Sequence, residues 1–401
     1  MSLAKNVEFL RSLPKMNGFN GFGAYGLALE SNRQSPLVET TGFGSNPGAL
    51  KMFSFTPDTL QKKPGLVVVL HGCGQTAAGY DLGAGWSMLA KRYGFALLMP
   101  EQRSSNNANT CFNWFNPEDI AREHGEACSI RQMVARMVRD HKIDPRRVYV
   151  TGLSAGGAMT SVMLATYPDV FAGGAVIAGL PFGIATNVRE ALSGMMQSSS
   201  RPAGELGDLV RKASKYKGPW PKLSVWHGSA DRTVNPANGN EIVKQWLDVH
   251  HLPQAAMSEG TVDGYPHKVW WNADGETIVE SYTITNMAHG TPLGIAGNDE
   301  RYGVEGAFLI EAGISSSYHI ANFFGLTERV RQPKAAATES PSAKLIPLVS
   351  PISASGPDLA KAPRPKPTPV RDAAPSRPKP DRVIDVGAVI TRALTAAGLM
   401  K

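Results

Sequence analysis

The sequence predicts an α/β domain, with a central, mostly parallel sheet and helices on both faces. Three observations carry this. Short continuous apolar runs recur between residues 50 and 325, as strands buried on both faces do. Stretches with helical spacing of apolar residues separate them. Most runs end in glycine, histidine or a polar loop, where the chain can turn and cross back to the next strand.

The elements follow in order. Residues 1–47 read as a glycine-rich N-terminal extension, with Leu3, Val7, Leu10 and Leu13 spaced for a short amphipathic helical turn. Residues 48–57 alternate as a strand does. Leu66–Leu70 is a central strand that runs into His71-Gly72-Cys73-Gly74-Gln75. Trp86–Tyr93 reads as a helix, 95–100 as the next strand and 101–109 as a polar loop. Cys111-Phe112-Asn113-Trp114-Phe115-Asn116 follows, an aromatic loop that either packs on the domain or lines a cleft for an apolar substrate. In 129–141, Ile130, Met133, Val134, Met137 and Val138 share one helical face. Residues 148–150 are a buried strand, 175–179 another and 223–228 a third. Residues 184–220 read as an irregular or helical insertion that caps the site, and 235–250 as a helix. The alternation in 277–285 reads as a strand near the sheet edge. Residues 307–324 include the last helix of a domain spanning 48–330.

Beyond that domain the composition changes. Residues 331–401 hold 12 of the 41 Lys/Arg and 5 of the 34 Asp/Glu, so the net charge of +7 resides entirely there. The domain itself is neutral, which removes the case for a nucleic-acid partner. Twelve of the 29 prolines fall in 331–380, with Pro363, Pro365, Pro367 and Pro369 alternating with other residues. That pattern forbids helix and sheet and reads as an extended linker over 331–382. Residues 383–401 regain helical spacing through Val383, Val386, Ile390, Leu394 and Ala397. No apolar run is long enough for a membrane span. The first residues lack the apolar core of a signal peptide. Cys73, Cys111 and Cys128 are too few for a disulfide framework, and fit either one disulfide and one thiol or three thiols. Nothing in the pattern calls for a metal or cofactor, and nothing specifies an oligomeric state.

The chemistry centres on Gly152-Leu153-Ser154-Ala155-Gly156, between the strand at 148 and a helix over Ala155–Thr166. This is the G-x-S-x-G nucleophile elbow in its strand–turn–helix setting, with Ser154 at the tip. A serine needs a base, and the base needs an acceptor to fix its tautomer. Asp231, in a loop just past a strand, and His289, in Asn286-Met287-Ala288-His289-Gly290-Thr291-Pro292, follow in the order nucleophile, acid, histidine. Rival histidines are His71, His227 and His319. Rival acids are Asp263, Asp274 and Asp299.

These motifs, with Leu70 to Gln75, Cys111 to Phe115, Gly125-Glu126-Ala127 and Val225-Trp226-His227-Gly228, resemble the catalytic domain of the type 1 short-chain-length polyhydroxyalkanoate depolymerases over about residues 48–326. The resemblance implies an α/β-hydrolase fold and hydrolysis of hydroxyalkanoate esters, in polymer, oligomer or small-ester form, by an enzyme of a largely secreted family. It implies Ser154 as nucleophile, His289 as acid/base, Asp231 as its partner, and the amides of Cys73 and Ala155 as the oxyanion hole. It points to Trp114 and Phe115, with the adjoining Asn113, as exposed substrate-binding residues. A feruloyl- or acetylxylan-type carboxylesterase on the same fold is the alternative enzyme. A non-catalytic polymer- or surface-binding protein is the alternative of another class.

Overall fold

The computed structural model describes residues 35–198 and 200–328. The helical turn expected over residues 3–13, the proline-rich segment 331–382 and the stretch 383–401 lie outside the described residues.

The strands are β1 (Val38–Thr40), β2 (Lys51–Phe55), β3 (Leu66–Leu70), β4 (Ala96–Glu101), β5 (Val148–Leu153), β6 (Gly173–Ile177), β7 (Lys222–Gly228), β8 (Ser258–Val262), β9 (Tyr265–Trp271) and β10 (Thr277–Ile284). They form one sheet in the order β1-β2-β4-β3-β5-β6-β7-β10-β9-β8. From β4 through β10 every pairing is parallel, and antiparallel strands finish both sides. A second, two-stranded parallel sheet joins β11 (Thr291–Leu293) to β12 (Leu309–Glu311). The helices are α1 (Ala77–Ala84), α2 (Trp86–Tyr93), α3 (Pro117–Ile120), α4 (Gly125–His141), α5 (Ala155–Thr166), α6 (Val188–Gln197), α7 (Ala203–Ala213), α8 (Ala237–Val249) and α9 (Ser316–Phe323). Among the described residues, no helix is long and apolar enough to cross a membrane.

The continuous apolar runs have a simple cause. Successive side chains of a strand point to opposite faces, and here both faces are covered. Leu66, Val68 and Leu70 enter one core with Ile130 and Met133 of α4, Met159 and Val162 of α5, and Trp246 of α8. Val67 and Val69 enter the other with Tyr80 of α1, Trp86 and Leu89 of α2, and Ile320 of α9. Every residue of α5 is buried, so it reads as apolar and small all round rather than amphipathic.

Two expectations change, and one alternative is resolved. The strand at 277–285 is interior, flanked by β7 and β9. Its polar residues suggested an edge, but Glu280 is buried, accepting from Ser224 Oγ (2.7 Å) and meeting His267 Nε2 (3.1 Å). Of the irregular and helical forms open for the insertion at 184–220, the helical one holds, as α6 and α7. Helix α4 begins at Gly125, a full turn before the spacing indicated. Strands β8 and β9 and helix α1 carried no clear signal: β8 is largely exposed, and α1 (AAGYDLGA) has no one-sided apolar stripe.

The elbow is packed backbone to backbone. A Cβ placed on Gly156 would overlap the carbonyl oxygens of Leu70 and His71 at the end of β3, and one on Gly152 would strike the carbonyl of Gly156. Gly156→Ala is therefore expected to destabilise the fold by about 1–3 kcal/mol through overpacking. In a free helix the same change stabilises by about 1 kcal/mol. Urea unfolding of the variant reads the sign directly.

Candidate active site

Parallel strands deliver their loops to one edge. Ser154 follows β5, Asp231 follows β7 and His289 follows β10, all at carboxyl ends. Ser154 has φ +58° and ψ −118°, a strained conformation for a non-glycine residue. Its surroundings hold it there: its amide donates to Ile177 O (2.9 Å), and its carbonyl accepts from Ala158 N (2.8 Å). The first amides of α5, including that of Ala155, therefore point out of the helix end with no partner inside it.

The Asp231 and His289 loops are laced together. Ser229 N donates to Ile284 O, Ala230 N to Met287 O and Asn286 N to Ser229 Oγ, at 2.9–3.0 Å. Gly228 permits this approach, because a Cβ there would run into the carbonyl of Met287. The result is a 2.7 Å contact between His289 Nδ1 and Asp231 Oδ2, with both residues buried. Asp231 Oδ1 accepts from the amides of Thr233 (2.8 Å) and Val234 (2.9 Å). Burial alone would push this carboxyl up. Hydrogen bonds from His227 and His289, with the charges of both rings, outweigh it and hold Asp231 below the usual carboxylate range. Among the described residues, Ser154 Oγ makes no hydrogen bond to the His289 ring. Such contacts often close only with substrate in place.

The Cys73 loop lies beside the elbow, with Gly72 against Leu153. Gly72 N donates to Gln75 Oε1 (2.9 Å), and Gly74 N to Asn109 O (2.9 Å). Cys73, between them, is disulfide-bonded to Cys111, and Cys128 is free. His71 Nδ1 meets Gly72 O (2.8 Å) and its Nε2 accepts from Gln102 N (3.1 Å). Burial pulls this ring below its ordinary pKa, so it serves as a neutral strut rather than a base. His319 pairs with Asp263 at 2.8 Å, in the turn that joins β8 to β9.

The aromatic loop differs from expectation. Trp114 is only 6% exposed and belongs to the core, because the loop folds inward over α4. Phe115 is half-buried and packs edge-on against it. Asn113 is held by Glu126, through its amide to Oε2 (2.9 Å) and through Nδ2 to Oε1 (2.8 Å). In the sequence Gln102 and Glu126 carry no visible role, and His227 reads only as a rival base. Their function is visible only as contacts under the loops. Among the described residues, no cluster of His, Cys, Asp and Glu is arranged to hold a metal ion.

Comparison with known proteins gives the family. Residues 51–261 match the family described as Esterase PHB depolymerase. The poly(3-hydroxyalkanoate) depolymerase C of Paucimonas lemoignei is 49% identical over 301 residues, covering 75% of this chain and 72% of that protein. An acetylxylan esterase of Coprinopsis cinerea is 35% identical over 263 residues, covering 64% and 69%. Among solved structures, an acetyl xylan esterase from Aspergillus awamori superposes with a TM-score of 0.61 at 24% identity, over 72% of this chain and 99% of that one, and shares the fold. With a match that takes in β2 through β7 and the loops that carry Cys73, Ser154 and Asp231, the chain belongs to the esterase PHB depolymerase family and is a carboxylic-ester hydrolase.

Proposed function

We propose that this esterase cleaves the ester bonds of poly(3-hydroxyalkanoates) or their oligomers through Ser154, His289 and Asp231. The observation that carries the mechanism is the buried 2.7 Å contact of His289 Nδ1 with Asp231 Oδ2, on the edge where Ser154 sits strained at a helix N-terminus. The substrate class rests on the 49% identity to a poly(3-hydroxyalkanoate) depolymerase.

Asp231 accepts the Nδ1 proton of His289 and leaves Nε2 free to act as base. The proton of Ser154 Oγ passes to Nε2 as the oxygen attacks the ester carbonyl. The tetrahedral oxyanion accepts from the amides of Cys73 and Ala155, each worth about 3 kcal/mol in the transition state. His289 returns the proton to the departing hydroxyl end of the polyester. Water, losing its proton to His289, then hydrolyses the acyl-serine and releases the acid. The Cys73–Cys111 disulfide ties the aromatic loop to the oxyanion loop, so Phe115 offers apolar surface beside the acyl chain. That disulfide also supports work in an oxidising compartment.

Ser154→Ala is expected to abolish hydrolysis while melting as the wild type does, and Asp231→Asn to lower kcat by about 10⁴-fold. The assay is release of hydroxyacid from polyester film and oligomers beside short p-nitrophenyl, acetylxylan and feruloyl esters. Turnover confined to acetylxylan or feruloyl esters would replace the polyester reading and keep the triad. Turnover by Ser154→Ala would remove the triad itself. Reduction of the disulfide, or Cys111→Ser, opens a loop with a sequence separation of 38. It is expected to cost about 4 kcal/mol of stability. It should also lower kcat on a soluble ester more than it raises KM, because the Cys73 amide loses its anchor.

A further inference from the structure

Asp231 has a second histidine on it. His227 Nε2 lies 3.3 Å from Asp231 Oδ2 and 3.0 Å from Val234 O. Both neighbours are acceptors, so Nε2 must carry the proton. Nδ1 is then a bare acceptor, and it is buried with no hydrogen-bond partner. It faces Gly239 of α8, where a Cβ would stand 3.3 Å away. The ring is only 6% exposed. A buried polar ring satisfied at one nitrogen alone is costly, and the pocket would accept an apolar ring of similar size. What the histidine contributes that an apolar ring would not is the Nε2 proton, shared between Val234 O and Asp231 Oδ2.

Resting on the Ser154–His289–Asp231 reading above, we propose that His227 is a positioning residue for ester hydrolysis, which orients the Asp231 carboxylate and shares its charge with His289. Asp231 has three close donors, two amides on Oδ1 and the His289 ring on Oδ2, and the Nε2–H of His227, which also serves Val234 O, stands 3.3 Å from Oδ2. Donors on both oxygens hold the carboxylate plane in place. His227 and His289 are the titratable groups that bear on this carboxylate. Because Oδ2 divides its charge between two N–H donors, it holds the His289 imidazolium less tightly than it would alone. Without His227, that oxygen would be left to His289 alone. His227 touches neither Ser154 nor the substrate position, so its effect falls on kcat and on the pH profile rather than on KM.

The test is the kcat/KM–pH profile on a soluble ester. His227→Phe is expected to move the acid limb upward by about half a pH unit, with about a threefold loss on the acid side and KM unchanged. His227→Gln, whose amide nitrogen can stand where the ring Nε2 does, should restore the limb. An unmoved limb in folded His227→Phe overturns the proposal while leaving the triad intact. An active Ser154→Ala would instead sink the triad reading beneath it. Should His227→Phe not fold, ¹⁵N-histidine NMR of the unmodified protein decides. The expected result is His227 protonated at Nε2 and bare at Nδ1. The opposite tautomer has no proton to share with Asp231 and overturns the proposal.

Discussion

The site depends on carbonyl-to-glycine contact at the carboxyl ends of the strands. Gly156 lies against the Leu70 and His71 carbonyls, and Gly228 against that of Met287. The first contact presses the nucleophile elbow onto the loop that carries Cys73. The second brings the His289 loop onto the Asp231 loop. No side chain fits in either place. The reacting groups therefore stand on backbone that cannot drift, a stiffer support than any side-chain contact supplies. The strained Ser154 conformation persists for the same reason. The parallel sheet below it fixes both flanks of the turn, so relaxing the serine would require moving β5 or α5.

Two buried carboxylates near this edge show how context decides ionisation. Asp231 and Glu126 both accept several hydrogen bonds, and burial pushes both upward. Glu126 also feels the charge of Asp119, and its donors Asn113 and Gln102 are neutral amides, so it rises to about 8. Asp231 has two imidazoles on it and goes the other way. The difference lies in the partners, since both groups are well buried. It also separates their tasks. In the proposed triad, Asp231 is the fixed negative charge for His289. Glu126 serves as a hydrogen-bond hub that holds Asn113 and Gln102, and through Gln102 the His71 strut beneath the Cys73 loop.

The parts that were legible in the sequence were those with local signatures. Strands β3, β4, β5, β6 and β7 showed as apolar runs because helices cover both their faces. The G-x-S-x-G turn showed because its glycines are demanded within five residues of chain. Asp231 and His289 were singled out by their position after strands, and their 2.7 Å contact follows from the lacing of two loops 58 residues apart. What escaped was set by partners distant in sequence. Glu280 looked like an exposed residue because its neutralising contacts, Ser224 and His267, lie on other strands. Trp114 looked like an exposed aromatic because nothing in Asn113-Trp114-Phe115 records that Glu126 draws the loop inward. His227 looked like a spare rival to His289, although it bears on the same oxygen.

The oxyanion loop shows how these supports combine. Its amides are aimed by three tethers that act from different directions. The disulfide pulls Cys73 toward Cys111, Gln75 caps Gly72 N from within the loop, and His71 ties the strand end to Gln102. Each alone leaves a rotation of the loop open. Together they hold the loop that carries Cys73 beside the elbow. Donors held in advance need no reorganisation when charge appears on the ester oxygen, and that is the condition under which such donors stabilise a transition state more than a ground state. On the proposed mechanism, the buried network beneath the loop is thus as much a part of ester hydrolysis as the two amides it supports.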